Sequence, residues 1–151
     1  MSRRHLLSLF LVLLAGACDQ MQPVESKLAV SSLPGQRWYS EEQVSSGVEV
    51  FRQHCAQCHG GKAEGLVADW RKKLPNGTFP PPPLDGTAHA WHHPLSMLIR
   101  VIDKGGIEFG GTMPGFAGQL PERKKLEVIA YFQNFWSDEI YENWVQMGGK
   151  N

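Results

Sequence analysis

The densest chemistry in this chain lies in five residues, Cys55-Ala56-Gln57-Cys58-His59. Two thiols at i and i+3 share one face of a helical turn. Both can therefore add to two vinyl groups of one flat ligand, and the next imidazole falls under its centre. C-x-x-C-H is the attachment signature of c-type haem, and its histidine is the iron's fifth ligand. Two other chemistries use such a pair. A zinc site needs a second pair of ligands, yet the only other cysteine is Cys18, far upstream. A thioredoxin-like dithiol wants a βαβ setting, and no such alternation is found. One covalently bound haem c is the expectation.

The elements that position this motif follow from periodicity and breakers. Ser40-Glu41-Glu42-Gln43 is a capping-box pattern, and Val44, Val48 and Phe51 recur behind it at helical spacing. The first helix is expected to run into Cys55. Residues 60–91 are rich in Gly and Pro, with Pro80 to Pro83 consecutive, so they form a wrapped loop rather than a helix. His93-Pro94 opens a second helix with Leu95, Leu98, Ile99 and Ile102 on one face, and Gly105-Gly106 stops it. Gly110 to Gly118 is another loop, carrying Met113-Pro114. Pro121 starts a third helix whose Leu126 to Trp136 is apolar all round and must be buried on more than one side. A short last helix is expected from Ser137, with Ile140, Tyr141 and Trp144 inward. No strand series or internal repeat appears, so the fold class is all-α.

The beginning of the chain reads as an export signal. Arg3 and Arg4 precede the apolar run Leu6 to Leu14 and the small-residue exit Ala15-Gly16-Ala17, which makes residues 1–17 a signal peptide. The run is too short to span a bilayer as a helix. Cleavage after Ala17 leaves Cys18 first, a spacing that resembles a bacterial lipoprotein processing site, although Ala15 stands where leucine is usual. Ala15-x-Ala17 equally suits the ordinary signal peptidase. Two thiols go to haem and one is left over, which favours lipidation of Cys18. Residues 18–37 read as a flexible tether, 38–137 as the folded domain and 138–151 as a helical extension. Processing removes Arg3 and Arg4 from the 15 basic residues and none of the 15 acids, leaving a net charge of −2. Nothing in that balance suggests nucleic acid.

Taken in order, Gly47 and Phe51, then Cys55 to Gly60, Pro83-Leu84, Met113-Pro114 and Ala130-Tyr131 resemble monohaem class I cytochrome c over roughly residues 40–136. The resemblance implies three to five helices wrapped around one haem, with the first and last helices crossing at Gly47, Phe51 and Tyr131. It gives His59 a backbone-carbonyl partner, and Pro83 matches the position that supplies it; alternatively, Pro83 only shapes the loop. For the sixth ligand the candidates are Met113, Met97, Met147 and the three histidines. Met97 lies within a helix, Met147 in a frayed tail, and Met113 in a Gly-rich loop able to approach a porphyrin face. Met113 is the expected ligand, and His/Met ligation raises the reduction potential. Trp91 is a candidate donor to a haem propionate. His89, His92 and His93 read either as a second metal site, copper above all, or as solvated or propionate-bonded side chains. The basic triplets at 71–73 and 123–125 are either solvated faces or steering charges for an acidic partner.

The expected function is one-electron transfer between respiratory partner proteins, by a carrier and not an enzyme, lipid-anchored on the periplasmic side of a bacterial inner membrane. A soluble periplasmic carrier is the variant without the lipid. Asp19, next to Cys18, resembles an inner-membrane retention signal. Two other readings are a sensor or peroxidase-like enzyme with a dissociable Met113, and a copper-handling protein using the histidine cluster.

Overall fold

A computed structural model describes residues 36–151, and the expected signal peptide, Cys18 and nearly all of the expected tether lie outside the described residues. Five α-helices and no strand are found among the described residues. The first, α1 (Glu41–His54), begins at the expected capping box: Ser40 Oγ accepts from Gln43 N–H at 3.2 Å, and Gln43 Oε1 accepts from Ser40 N–H at 3.0 Å. It runs directly into the one-turn α2 (Ala56–His59). A long loop with a 3₁₀ turn at Ala90–His92 leads to α3 (Leu95–Lys104), which ends at Gly105 with φ 82°. Pro94 is the N-cap of α3, so the helix starts one residue later than the sequence suggests. Then come α4 (Glu122–Gln133) and α5 (Asp138–Gln146), capped by Ser137, whose Oγ accepts from Ile140 N–H at 3.2 Å.

The frame is the packing of α1 on α4, the most extensive contact between any two elements. A Cβ on Gly47 would run into the Glu127 carbonyl and stand 2.9 Å from Tyr131 Cβ, so only glycine lets the backbones approach this closely. Beside the crossing, the Phe51 and Tyr131 rings lie 4.9 Å apart. This geometry rotates the buried face of α1. Gly47, Val50 and Phe51 are buried, whereas Val48, expected inward, is 45% exposed. The contact is centred where side-chain bulk is least, not along the stripe of valines.

As expected, α4 is buried on several sides, with Val128, Ile129, Ala130 and Phe132 all inward. It also buries Lys125, Glu127 and Gln133. Each charge there is paired, as burial demands: Lys125 with Asp103 at 2.9 Å and Glu122 at 2.8 Å, and Glu127 with Arg123 at 2.6 Å and Lys124 at 2.8 Å. The helix stops at Gln133, so Phe135 and Trp136 lie beyond it. Tyr141 and Trp144 of α5 sit in the same core as Phe51 and Ile129, which makes residues 138–151 part of the domain's own packing. The tail is docked rather than frayed: Leu95 N–H donates to Gly149 O at 2.6 Å and Ser96 N–H to Asn151 O at 3.2 Å. Those bonds serve first-turn donors of α3 that no side chain caps. At the other end, Arg37, assigned to the tether by sequence, is held by the Trp136 carbonyl at 3.0 Å and by Asp138 at 2.8 Å, over the Tyr141 ring. No helix among the described residues is long and apolar enough to cross a membrane.

Candidate haem-binding site

The motif turn is built by the end of α1. Cys55 N–H donates to Phe51 O at 2.8 Å, and Cys55 O accepts from Cys58 at 3.0 Å and His59 at 2.9 Å. The two thiols are free, Cys55 half-buried and Cys58 exposed. Burial, then the neighbouring Cys58, pushes the Cys55 thiol up to about 11, so it is a protonated thiol at neutral pH.

His59 is buried, and its Nδ1 lies 2.8 Å from the Pro82 carbonyl oxygen. That bond fixes the tautomer with Nδ1–H donating and leaves Nε2 as the nitrogen free for a metal. Burial lowers the His59 pKa, against the opposing pull of the carbonyl, and so favours the neutral ring that a metal ligand requires. The sequence places this carbonyl at Pro83; the structure corrects it to Pro82. Pro83 is buried one residue further on, where a Cβ on Gly65 would stand 3.0 Å from its ring. Successive carbonyls of a proline run point in different directions about the chain axis, so a shift of one residue changes which one meets the imidazole. Leu84 N–H, donating to Ala63 O at 2.7 Å, sets the register. Ala63 itself is fully buried and is the one non-glycine residue with positive φ (64°) among the described residues. Its role in closing the loop after the motif carries no sequence signal, because alanine there looks unremarkable. The same loop is held by Tyr131, whose hydroxyl donates to Gly61 O at 2.8 Å.

Met113 is half-buried and packs against the core. Its loop is fastened to the end of α3: Gly106 N–H donates to Met113 O at 3.0 Å, and Phe116 N–H to Ile102 O at 2.8 Å. A Cβ on Gly105 would collide with the Met113 carbonyl, which explains the glycine there. Phe116 reaches across to His54, beside Cys55, with rings 5.9 Å apart. The loop that carries Met113 and the helix that carries the motif therefore touch. Met147 is 55% exposed and Met97 half-buried on α3.

Trp91 packs against the core and stacks on His92 with centroids 3.8 Å apart. His89 stacks on Trp70 at 4.8 Å and meets His93 edge-on at 5.4 Å. No group of three or more His, Cys, Asp or Glu side chains among the described residues is placed to hold a metal ion. The rings of the three histidines make aromatic contacts, His89 with Trp70 and His93, and His92 with Trp91. Of the basic triplets, Arg123-Lys124-Lys125 is tied up in ion pairs with Glu127, Asp103 and Glu122.

A free thiol pair on one turn, followed by a buried imidazole whose Nδ1 is bonded to a carbonyl and whose Nε2 is left for a metal, fits what a c-type haem needs for attachment and for its first axial ligand. Together with the all-helical frame these groups define a c-type cytochrome domain. A family model described as "Cytochrome C oxidase, cbb3-type, subunit III" matches residues 42–132, and the chain belongs to this family of c-type cytochromes. No curated protein and no solved structure matches it. Membership makes the cofactor covalently bound haem c and the chemistry haem-based electron transfer with redox partner proteins.

Proposed function

We propose that this chain is a single-haem electron carrier whose iron is ligated by His59 and Met113, held by a lipid on Cys18 at the periplasmic face of a bacterial inner membrane. The haem supplies a one-electron Fe(III)/Fe(II) couple. Cys55 and Cys58 would hold it through two thioethers. His59 presents Nε2 from a ring that cannot turn, because its Nδ1–H is bonded to Pro82 at 2.8 Å. That bond is the observation that carries the reading. Met113 offers a thioether from a loop fastened to α3 by main-chain bonds. Both side chains are held from behind, so a change of charge between them moves little structure. A thioether favours the ferrous state and fills the position that oxygen would need, which suits a carrier rather than an oxygen-activating enzyme. Trp91, packed against the core, would serve as a donor toward a propionate.

The test is Met113→Ala in the haem-loaded protein. Covalent haem is retained, the reduced form now binds carbon monoxide, and the potential falls by a sizeable part of the ~0.8 V range that axial ligands span. Met97→Ala leaves both properties unchanged. Carbon monoxide binding opened by Met97→Ala, and not by Met113→Ala, refutes the ligand assignment.

A further inference from the structure

We propose that residues 66–80 form a docking edge for an electron-transfer protein with a carboxylate-rich face, Arg71, Lys72 and Lys73 supplying charge and Leu66, Val67 and Leu74 apolar contact. The proposal rests on the electron-carrier reading and adds where the partner binds.

Charge singles out this segment. Most other cations among the described residues already have carboxylates: Arg37 with Asp138, Arg52 with Glu49, Arg100 with Glu108, and the whole triplet 123–125. Arg71, Lys72 and Lys73 are exposed, consecutive and outside every ion pair among the described residues. One acid stands near, Asp69, and its carboxylate accepts from the Arg71 backbone N–H at 3.1 Å. A chain whose 15 basic and 15 acidic residues leave no net charge therefore keeps a local positive edge, which attracts acidic surfaces that the whole molecule would not.

The surface between the charges is apolar. Leu66 is 63% exposed, Val67 38% and Leu74 37%. Val67, Leu74, Pro75 and Pro80 line an open groove whose polar members are Asp69, Lys72 and Lys73. An apolar floor with a cationic rim is the anatomy of a transient interface.

The edge is also held in shape. Trp70 stacks on the His89 ring at 4.8 Å and carries the Arg71 guanidinium 4.3 Å from its own ring, while Lys73 lies 5.1 Å over Phe79. Leu74 and Thr78 close a turn at 2.8 Å. Pre-shaping lowers the ordering cost of association. The edge also connects to both proposed iron ligands. Phe79 N–H donates to Gly110 O at 2.9 Å, on the loop of Met113, and Pro82, just beyond the segment, holds His59.

The experiment mixes the reduced holoprotein with hexacyanoferrate(III), which takes one electron and becomes hexacyanoferrate(II), and follows the rate against ionic strength. At about 0.1 M, where the Debye length is about 10 Å, Lys72→Glu with Lys73→Glu slows the reaction by about tenfold. Arg52→Glu with Lys104→Glu, an equal change in net charge elsewhere, stays within about twofold. Poly-L-glutamate then shifts backbone amide NMR signals of residues 66–80 in the wild type, and not in the Lys72/Lys73 variant. Equal slowing by both variants, or shifts mapping to residues 122–127, overturns the proposal. Unchanged spectra and midpoint potentials in both variants separate its failure from failure of the electron-carrier reading.

Discussion

Gly47→Ala tests the frame that positions the motif. The added methyl meets the Glu127 carbonyl, with Glu127 C at 2.8 Å and Tyr131 Cβ at 2.9 Å. The first two atoms are main chain inside α4 and cannot rotate away, so the two helices must part. Overpacking against an interior that cannot give costs about 3 kcal/mol, at the upper end of the usual range. Alanine returns about 1 kcal/mol as a better helix former. The net loss is about 2 kcal/mol, or roughly 10 °C in Tm for a domain of this size. Gly118→Ala is the control, because a Cβ there meets nothing within 4 Å. Thermal unfolding of both holoproteins, followed by far-UV circular dichroism, gives the comparison. A Gly47→Ala protein melting within 1–2 °C of wild type, an effect of less than about 0.5 kcal/mol, would refute the close crossing and with it the placement of Phe51 and Tyr131.

Two further outcomes are expected. Burial pushes the Tyr39 phenol up to about 12 from 10.0, tempered by the Arg37 guanidinium beside it, and its hydroxyl has no hydrogen-bond partner among the described residues. With the folded pKa above the unfolded one, stability is full below pH 10 and lost as pH rises toward 12; urea midpoints should show Tyr39→Phe neutral or stabilising by up to about 1 kcal/mol at pH 7 and resistant to that alkaline loss. Cys18→Ser should move the mature protein from the detergent phase to the aqueous phase with its haem spectrum unchanged, and a wild-type mass equal to polypeptide plus haem, without acyl chains, would leave a soluble carrier.

What sequence revealed and what it hid follow a physical division. The Ser40 capping box, the Gly105 stop and the motif turn depend on residues close in the chain, and each is where pattern predicts it. Errors arise where a distant partner decides. Val48 belongs to the apolar stripe of α1 but faces outward, because Gly47 draws α4 to a neighbouring face. Lys125 belongs to a triplet that reads as a solvated face or as steering charge, yet it is buried, since Asp103, 22 residues away, neutralises it. Arg37 reads as tether because its partners lie about 100 residues downstream. Pro82 rather than Pro83 holds His59 for the same reason: the choice lies in the register of a loop fixed by Ala63 and Leu84, not in the composition of that loop.

These long-range bonds share one device. The segments that flank the site are rich in Gly and Pro and form no strand ladder, so their carbonyls need donors from elsewhere. Aromatic side chains supply them. His59 donates to Pro82 O, Tyr131 to Gly61 O, Trp136 to Leu84 O and Trp144 to His93 O, each at 2.8 Å and across 23, 70, 52 and 51 residues. Three of these donors come from α4, α5 and the turn between them, so the C-terminal segment is what shapes the loops around the cofactor. Each donor brings a large apolar body into the core and ends in one polar group that a loop carbonyl can use. Replacing Trp144 by Phe keeps most of the first contribution and removes the second. The His93 carbonyl is then left without this donor just where α3 begins, at a cost of about 1–3 kcal/mol. The strain would fall on the Trp91-to-Leu95 junction, which places a proposed cofactor contact and the first turn of α3 under the control of a residue some 50 positions away.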